Sequence, residues 1–413
     1  MDRTSSSAVS SSQAFEFPDM IFISLENWDE IWRRNQFLCA GLAQRYPESK
    51  ILFVGLAHDV SNCLRKRRFS DMRRPVAHSI VGSPNITFTQ PLKIMPNSLS
   101  GGRRHNQIMM RRHLRKMSAK LNLRSPLLWI NDHAALHLVG RLGERGVVYD
   151  ITDDWTSLTQ SAALVKRITS QDARLCQIAD AVIVCSKRLW EMKRSSTDSL
   201  HLIANGVDAT HYAYVEARSQ QFASSPAGWR HPVLGYVGTI HSDRVDIPLL
   251  EAMARRMPEA TIVMIGPNSL PDSVQIRLKQ WTNIHFTGPI PYENIPDYIR
   301  FFDVCITPHL ITPFTESLNP IKLWEYMATG KPIVSTRVAG FRDYPDLVTL
   351  ADTADDFALA VIQAMAESPE RAVARKAEAR RNSWNARLDA IEAVIRSIRK
   401  DIALSDTGDA HAC

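Results

Sequence analysis

The most constraining feature of this sequence is a regular alternation of short apolar runs with longer amphipathic segments. The runs are rich in Val and Ile, as the buried strands of parallel sheets are. One series of strands is predicted at residues 21–24, 51–54, 86–89, 127–130, 147–151, 181–185 and 201–203. A second series is predicted at residues 233–237, 261–265, 284–286, 304–307, 333–336 and 348–350. Because parallel strands are joined by helical crossovers, the pattern predicts an α/β chain built from βαβ units.

Two series of strands predict two Rossmann-like, doubly wound domains that face each other across a cleft. The first domain is expected at residues 18–205 and the second at residues 231–382, with a polar linker at residues 206–230. Residues 1–17 and 405–413 have no periodic apolar pattern, so both are predicted to be disordered tails.

A long amphipathic helix is predicted at residues 383–404, after the last strand of the second series. Its apolar residues alternate in spacing between four and three positions, as one face of a helix requires: Trp384, Leu388, Ile391, Ile395, Ile398 and Ile402. This stripe must be buried, and we expect the helix to bridge the two domains.

The composition is that of an ordinary globular protein, with 45% hydrophobic and 23% charged residues. The six cysteines are scattered, without the paired spacing of zinc sites. No apolar run reaches the ~18 residues of a membrane span, and the serine-rich N-terminus lacks the apolar stretch of a signal peptide. A cytoplasmic protein is therefore expected, with peripheral contact at the inner face of the cell membrane as its one possible membrane association.

Charge is unevenly distributed along the chain. Residues 72–131 contain eleven Lys or Arg and no Asp or Glu, which indicates a basic face for an anionic partner. A helix in this stretch has an apolar stripe at 4-3-4 spacing, formed by Met110, Leu114, Met117 and Leu121. Basic residues flank the stripe, among them Arg111, Arg112, Arg115 and Lys116.

The sequence leaves two interpretations of this basic helix open. The helix can lie on an anionic membrane leaflet, with the stripe against the lipid. It can equally be an ordinary surface helix whose stripe packs into the core. A nucleic-acid partner is not expected, because no recognised nucleic-acid module surrounds the basic stretch.

The densest functional signal is a predicted helix near the end of the second series. Asn319 is expected to be its N-cap, Pro320 its first residue and Gly330 its end. A helix that starts at the carboxyl edge of a sheet offers free N–H groups and a positive dipole end to an anion. Lys322 opposes that dipole and so indicates a bound diphosphate, and Glu325 is placed to accept hydrogen bonds from ribose hydroxyls. The alternative is a well-capped packing helix with a solvated lysine.

The segment Asn319-Pro-Ile-Lys-Leu-Trp-Glu-Tyr, with Gly235-Tyr-Val-Gly-Thr-Ile before it and Gly330-Lys-Pro-Ile-Val after it, resembles the donor-binding domain of GT-B glycosyltransferases. A Pro-x-Lys-x-x-Glu-Tyr motif is common in the bacterial group 1 enzymes that build polysaccharides. Asn205-Gly-Val-Asp and Val147-Val-Tyr-Asp-Ile-Thr-Asp-Asp-Trp match further pieces, and the resemblance covers residues 20–398. It implies a GT-B fold, a nucleotide-sugar donor, expected to be a UDP-sugar, and a glycan or lipid-linked sugar acceptor, without a metal or other cofactor.

The resemblance also assigns donor-binding residues: Glu325 to the ribose; Lys322 and the amides around Asn319 and Ile321 to the diphosphate; Gly238 and Thr239 to close approach of the phosphates; Ile290 to the base. Departures from the family pattern leave retention or inversion of the anomeric centre open. The second carboxylate of many retaining relatives, eight positions before Glu325, is replaced by Ser317, with Glu316 one place off. Thr239 and Asp243 replace the Arg and Lys of the first loop, so that Arg244 is a candidate substitute.

Three carboxylates, Asp150, Asp153 and Asp154, crowd the end of the strand predicted at residues 147–151. Clustered like charges raise one another's pKa, which favours uptake of a proton from an acceptor hydroxyl. Asp153 or Asp154 is the preferred catalytic base, since Asp150 lies nearer the strand and is expected to be structural. A metal site, or a cap for the helix that begins near Trp155, is the alternative role.

Further candidates follow other strands of the first domain. His133 follows the strand predicted at residues 127–130 and is a second catalytic candidate, expected to face the reacting sugar. Trp28, Trp32 and Arg34 follow the first strand and are candidates for an acceptor pocket, although packing of a helix accounts for Trp32 as well.

The combined prediction is a glycosyltransferase of the hexosyltransferase type, acting in bacterial cell-surface polysaccharide or exopolysaccharide biosynthesis. The donor is expected on the second domain and the acceptor on the basic first domain. A sugar-nucleotide epimerase of the same fold is the alternative enzyme. A catalytically silent GT-B scaffold of a polysaccharide assembly complex is the alternative of another class, against which the donor-site pair Lys322 and Glu325 argues.

Overall fold

The computed structural model of the protein describes residues 15–65, 67, 77–158, 161–213 and 228–406. Most of the two predicted tails, and residues 214–227 of the predicted linker, lie outside these ranges. Within them the chain forms two large sheets, each with apolar clusters and helices on both faces. No helix in the described ranges is long and apolar enough to cross a lipid bilayer.

The strands of the first half are β1 (Met20–Ile23), β2 (Ile51–Val54), β3 (His58–Asp59), β4 (His78–Ile80), β5 (Ser83–Thr89), β6 (Leu92–Lys93), β7 (Leu127–Ile130), β8 (Gly146–Ile151), β9 (Ala181–Val184) and β10 (Leu200–Leu202). The helices are α1 (Arg34–Arg45), α2 (Val60–Arg65), α3 (Gly102–Leu121), α4 (Ala162–Ile178) and α5 (Lys187–Lys193). The sheet order is β10-β9-β8-β7-β1-β2-β5-β4, with only β4 antiparallel, and β3 pairs separately with β6.

The second half contains the strands β11 (Val233–Val237), β12 (Thr261–Ile265), β13 (Ile284–Gly288), β14 (Val304–Thr307), β15 (Ile333–Ser335) and β16 (Thr349–Leu350). Its helices are α6 (Ala209–Tyr212), α7 (Ile247–Arg256), α8 (Asp272–Leu278), α9 (Ile295–Ile299), α10 (Pro313–Ser317), α11 (Ile321–Thr329), α12 (Ala354–Met365), α13 (Pro369–Arg381) and α14 (Trp384–Asp406). The all-parallel order β13-β12-β11-β14-β15-β16 is that of a doubly wound domain, in which ligands bind where the winding reverses.

Each predicted strand is present, and its ends lie within three residues of the prediction. The physical basis is visible in β1, where all four residues are buried. Met20 and Phe22 pack into one apolar cluster, whereas Ile21 and Ile23 pack into the cluster on the opposite face of the sheet. A strand covered on both faces reads as a continuous apolar run, so the sequence pattern detects it.

The helix α3 uses its apolar stripe to cover the first sheet. Leu114 and Met117 are buried in the core, and Met110 and Leu121 pack against the same cluster. Of the two interpretations of this helix, the surface helix with a core stripe is therefore the correct one for its apolar face. The basic side chains lie on the outer side, where Arg112, Arg115 and Lys116 are exposed.

The helix predicted at residues 383–404 is present as α14, and the step between the halves falls between α13 and α14. The helix α13 packs against α11 in the second half, whereas α14 packs against α1 in the first. The apolar stripe of α14 is buried in the first core from Trp384 to Ile398, and the Trp384 ring stacks on Phe37 at 4.8 Å between centroids. The residues that flank residues 214–227, Tyr212 and Trp229, are buried in the second core.

Candidate functional site

A cavity of about 370 Å³ lies between the two sheets. Its walls are the segments that follow β1, β7 and β8 on one side and β11, β12, β13 and β14 on the other, together with the first turns of α11. These are the carboxyl ends of parallel strands, on both sides of each point where the winding reverses. Ligands of α/β proteins bind at such places.

The start of α11 differs in one respect from the sequence prediction. Pro320, not Asn319, occupies the N-cap position, and it supplies no side-chain hydrogen bond to the helix. The Oδ1 atom of Asn319 instead accepts a hydrogen bond from the backbone N–H of Asn205 at 2.8 Å. The Asn205 amide in turn donates to the Asn319 carbonyl at 2.6 Å. Asn319 therefore joins the two halves. The capping pattern in the sequence could not show this distant partner.

Lys322 lies in the first turn of α11, inside the cavity wall. Its Nζ atom donates a hydrogen bond to the Tyr236 hydroxyl at 2.9 Å and lies 4.3 Å from the centre of that ring. Burial, reinforced by the nearby Arg244, lowers the pKa of Lys322 to about 7. Burial disfavours the charged form of Lys322, so an anionic ligand would stabilise that form.

Arg244 is a second cation on the same wall. Its guanidinium lies 5.5 Å from the centre of the Phe314 ring, and its buried Nε has no hydrogen-bond partner among the described residues. Its charge also helps burial to lower the pKa of His309 well below the usual range. Arg244 and Lys322 together form the cationic wall of the cleft, so the candidate substitute Arg244 lies on the same wall as the predicted diphosphate residue Lys322.

Glu325 lies one helical turn after Lys322 and also lines the cleft. One of its oxygens accepts a hydrogen bond from the Tyr212 hydroxyl at 2.9 Å. Burial raises the pKa of Glu325, while Tyr212 and Lys322 oppose that rise. A buried carboxylate of this kind can accept hydrogen bonds from a neutral diol such as a ribose.

Gly238 has a conformation that side chains disfavour, with φ at 141°, and a Cβ there would lie 2.8 Å from Lys322 Nζ. The next glycine on this wall, Gly266, has φ at 135°, and its Cβ would lie 2.3 Å from the Gly238 carbonyl oxygen. Both positions keep the backbone open to the cavity. The predicted residues Thr239, Ile290 and Ile321 line it as well.

Ser317 is the predicted donor residue that the structure places elsewhere. It is buried outside the cleft lining, its hydroxyl donates to the Phe314 carbonyl at 2.7 Å, and it accepts from the Asp154 N–H at 3.1 Å. Its own carbonyl accepts from the Ser186 hydroxyl at 2.6 Å. Ser317 thus binds the two halves together. The neighbouring Glu316 is paired with Arg342 at 2.6 Å.

The three clustered aspartates have separate surroundings. Asp150 is fully buried and holds Arg34 through two hydrogen bonds of 3.0 and 3.1 Å, which agrees with its predicted structural role. Asp154 caps the short helix Trp155–Ser157, accepting from the Thr156 N–H at 3.1 Å, and is absent from the lining of the large cleft. Only Asp153 of the three lines the cleft, and burial raises its pKa.

Arg34 lines the cleft, but its guanidinium is engaged by Asp150 and by the Asn205 side chain at 3.1 Å, so it is a buried support. His133 is outside the described lining of the cleft and lies in a smaller cavity, which shares Asp153 and Trp155 with the cleft.

Trp28 packs edge-on against Phe53 at 5.0 Å between centroids, outside the described lining of the cleft, whereas its neighbour Trp32 lines it. The basic residues Arg111, Arg112, Arg115 and Lys116 of α3 are also outside that lining. Trp28 and these four residues therefore do not form the walls of the cleft.

Several cleft residues escaped the sequence analysis. His309 lines the cleft, and its Nε2 lies 3.1 Å from the hydroxyl of Tyr236, a buried residue of β11 that reads as core yet accepts a hydrogen bond from Lys322 behind the cleft lining. Glu26 and Asn35 flank the Trp and Arg residues that were considered after β1. Their position after the first strand was the one feature of the sequence that could have identified Glu26 and Asn35 as cleft residues. Within the described residues, no group of three or more His, Cys, Asp or Glu side chains is arranged to hold a metal ion.

Comparison with known proteins identifies the second half of the chain most directly. Residues 231–367 match the family model described as "Glycosyl transferases group 1". TuaH of Bacillus subtilis (strain 168), a protein assigned as a teichuronic acid biosynthesis glycosyltransferase, is 28% identical over 204 residues. The match covers 46% of this chain and 50% of TuaH, so the chain spans about half the length of this curated relative.

Solved structures share the architecture of almost the whole chain. Sucrose-phosphate synthase from Thermosynechococcus elongatus has a TM-score of 0.70 at 17% identity, with 93% of this chain and 100% of that chain covered. HepE from Anabaena, solved with UDP-glucose, has a TM-score of 0.63 at 16% identity, with 92% and 99% covered. At these identities the likeness shows the fold alone. The shared architecture is the GT-B fold, and the family match to group 1 glycosyl transferases applies to residues 231–367.

Proposed function

We propose that this chain is a glycosyltransferase that moves a sugar from a UDP-sugar to a hydroxyl of a glycan or lipid-linked acceptor. The observation that carries the proposal is the cationic wall of the cleft, which Arg244 forms together with Lys322. Lys322 lies at the start of α11, and Glu325 lies one turn further on. A diphosphate would provide an anionic partner for the two half-buried cations. A ribose would provide hydroxyl donors to Glu325.

The chemistry follows from the two walls of the cleft. The cations stabilise the negative charge that develops on the leaving diphosphate as its bond to the anomeric carbon breaks. On an inverting route, Asp153 takes the proton of the acceptor hydroxyl while the oxygen of that hydroxyl bonds to the anomeric carbon. We assign this role to Asp153 because it is the one of the three clustered aspartates that lines the cleft. No metal or other cofactor is part of the proposal.

Two resemblances support the parts of the proposal that concern the nucleotide and the biosynthetic role. The UDP carrier is suggested by HepE, whose structure contains UDP-glucose. A role in bacterial cell-surface polysaccharide synthesis is suggested by TuaH, which is assigned to teichuronic acid biosynthesis. Both terms are properties of those proteins and are carried to this chain as a proposal.

The test is thermal unfolding of the protein with UDP, GDP, ADP and dTDP, each with and without added Mg²⁺. A ligand at a hundredfold excess over its Kd stabilises the folded state by about 2.7 kcal/mol. We expect UDP to raise the melting temperature of wild type and of Lys279→Met, a change at an exposed lysine, but not of Lys322→Met or Glu325→Ala.

If no nucleotide stabilises the wild type, the donor site does not exist and the proposal fails. UDP binding without turnover of any UDP-sugar, across a panel of acceptors, would favour the silent scaffold. Conversion of one UDP-sugar into its epimer would favour the epimerase.

We also propose that the reaction takes place in the cytoplasm, with the protein docked on an anionic membrane at the inner face of the cell membrane. The exposed cations Arg112, Arg115 and Lys116 of α3 support this, whereas the apolar stripe is engaged in the core. Co-sedimentation with phosphatidylglycerol vesicles, lost at high salt and in the Arg112→Glu/Lys116→Glu variant, is the expected result. Equal binding to phosphatidylcholine vesicles would contradict it.

A further inference from the structure

The first-domain wall of the cleft carries two buried oxygen atoms without a hydrogen-bond partner among the described residues. They are Oε2 of Glu26 and Oδ1 of Asn35, and both residues line the cleft. A buried acceptor left without a partner costs about 1–3 kcal/mol, and such atoms are rare in native proteins. Two of them on one cleft wall indicate a ligand that donates hydrogen bonds there.

The orientation of the Asn35 amide follows from its neighbours. The Nδ2 atom of Asn131 donates to the Asp150 carbonyl at 2.9 Å, so Asn131 can offer only its oxygen to Asn35. The Nδ2 atom of Asn35 donates to that oxygen at 2.9 Å and to the Ser24 hydroxyl at 2.8 Å. Asn35 is only 2% exposed, and its remaining atom, Oδ1, is the free acceptor.

Glu26 belongs to the same short segment, because its backbone N–H donates to the Ser24 hydroxyl at 2.9 Å. Its Oε1 atom lies 3.5 Å from Arg33 Nε, whereas Oε2 is buried and free. Burial raises the pKa of Glu26 to about 7, with Arg33 opposing the rise and Asp153 adding to it. The wall therefore presents acceptors and acidic groups, not cations that are free to bind an anion.

This charge distribution restricts the ligand. An ionised phosphate or carboxylate group would donate nothing to the two free oxygens, and it would meet repulsion from Glu26 and Asp153 in their ionised forms. Anions fit the opposite wall, where Lys322 and Arg244 lie. A neutral polyol fits the first wall, since each sugar hydroxyl can donate one hydrogen bond.

We propose that Glu26 and Asn35 form a subsite that binds the hydroxyl groups of a sugar ring, and that the ring is uncharged where it meets them. This inference rests on the proposed function, which places a nucleotide sugar in the same cleft. The hydroxyls belong either to the transferred sugar or to the acceptor, and the two sources are separated by experiment.

The experiment compares wild type with Glu26→Gln, which keeps the size of the side chain but replaces one acceptor oxygen by a donor. Glu30→Gln is the matched control, because Glu30 is exposed in the same segment and lies outside the described lining of the cleft. Calorimetry measures the Kd of UDP, UDP-glucose, UDP-galactose and UDP-N-acetylglucosamine. Saturation-transfer NMR measures binding of methyl glycosides and glucose 6-phosphate to the UDP-bound protein.

If the ring is that of the donor, Glu26→Gln weakens the best UDP-sugar at least tenfold while the Kd of UDP stays within twofold. If the ring is that of the acceptor, all nucleotide affinities are retained and binding of a neutral methyl glycoside is lost at least tenfold. Glu30→Gln changes none of these values.

Two results would overturn the subsite while leaving the proposed function intact. The first is normal binding of every sugar by Glu26→Gln. The second is tighter binding of glucose 6-phosphate than of neutral glycosides by the wild type. Absence of UDP binding by the wild type is a different outcome, since it refutes the proposed function from which the subsite was argued.

Discussion

At the scale of single residues, Lys322 is the most informative group in the cleft. Its neighbours are the Tyr236 hydroxyl, the cation Arg244 and the carboxylate Glu325, and burial has the largest influence on its pKa. The protein therefore holds the amine near the midpoint between its charged and neutral forms at neutral pH. An arrangement that is unfavourable in the empty cleft becomes favourable when an anion enters.

The first prediction at this scale concerns protons. Free Lys322 has a pKa of about 7, and a bound diphosphate must raise it, so binding of UDP at about pH 8 takes up a proton. The affinity for UDP should fall as the pH rises above about 7. The fall should end once the pH exceeds the pKa of Lys322 in the complex with UDP. Calorimetry in two buffers of different ionisation enthalpy measures the uptake. Lys322→Met should take up none, and the same uptake in that variant would assign it to another group.

A second prediction concerns stability. The folded pKa of Lys322, about 7, lies below the unfolded value of 10.5, so between these values only the unfolded chain holds the proton. The contribution of Lys322 to stability therefore rises with pH across this window and is least favourable below it. We expect Lys322→Met to stabilise the ligand-free protein by about 1–3 kcal/mol near neutral pH, with the difference shrinking towards about pH 10. Chemical denaturation at several pH values checks this, and a less stable variant at neutral pH would contradict it.

At the scale of elements, the sequence was sufficient to predict the strands whose own residues are buried. Strands such as β7 and β12, in which every residue is buried, were predicted at the observed positions. The short strands β3, β4 and β6 were not predicted, because none of their residues is buried and an apolar pattern is absent. Their pairing depends on neighbouring strands, which the local sequence does not encode.

The candidate site shows the same division. Lys322 and Glu325 could be singled out from the sequence because they lie in one continuous segment of α11. The roles of Ser317 and Asn319 could not be predicted, since their partners Asp154 and Asn205 are more than a hundred positions away in the chain. Glu26 and Asn35 look like ordinary loop and helix residues until the fold places them on the cleft wall.

The prediction at the element scale concerns α14. Leu388 is 2% exposed, and Gly41 of α1 leaves it room, because a Cβ at Gly41 would lie 2.4 Å from a Leu388 methyl carbon. Leu388→Ala should lower the stability of the first half by about 2–4 kcal/mol, measured by urea unfolding. Leu359→Ala, at a 60% exposed position of α12, is the control and should cost less than about 0.5 kcal/mol. Similar losses in both variants would mean that α14 is not part of the first core.

At the scale of the whole molecule, the cleft depends on a small set of contacts between the halves. Asn205 pairs with Asn319, the Ser186 hydroxyl donates to the Ser317 carbonyl, and the Trp32 ring stacks on Tyr292 at 5.9 Å between centroids. These contacts combine hydrogen bonds with ring packing, to which Phe37 and Tyr292 add an edge-on pair at 5.2 Å. Interfaces of this kind permit the halves to move relative to each other.

The prediction at this scale separates binding from turnover. Asn319→Ala removes the acceptor of the Asn205 N–H, so the junction should loosen and the radius of gyration in small-angle X-ray scattering should increase. The cations that bind UDP lie on the second half alone, so we expect the Kd of UDP to change less than twofold and turnover of the UDP-sugar to fall at least tenfold. Equal losses in binding and turnover would show that Asn319 acts directly on the nucleotide.

The pairing of Asn205 with Asn319 has a consequence for the order of events. Asn319 is separated from Lys322 by only Pro320 and Ile321, and the proline restricts the backbone between the junction and the cationic turn. A nucleotide that settles on this turn therefore fixes the angle of the wall that meets the second substrate. We therefore expect the donor to load first, the second substrate to enter only the completed complex, and the spent nucleotide to leave last.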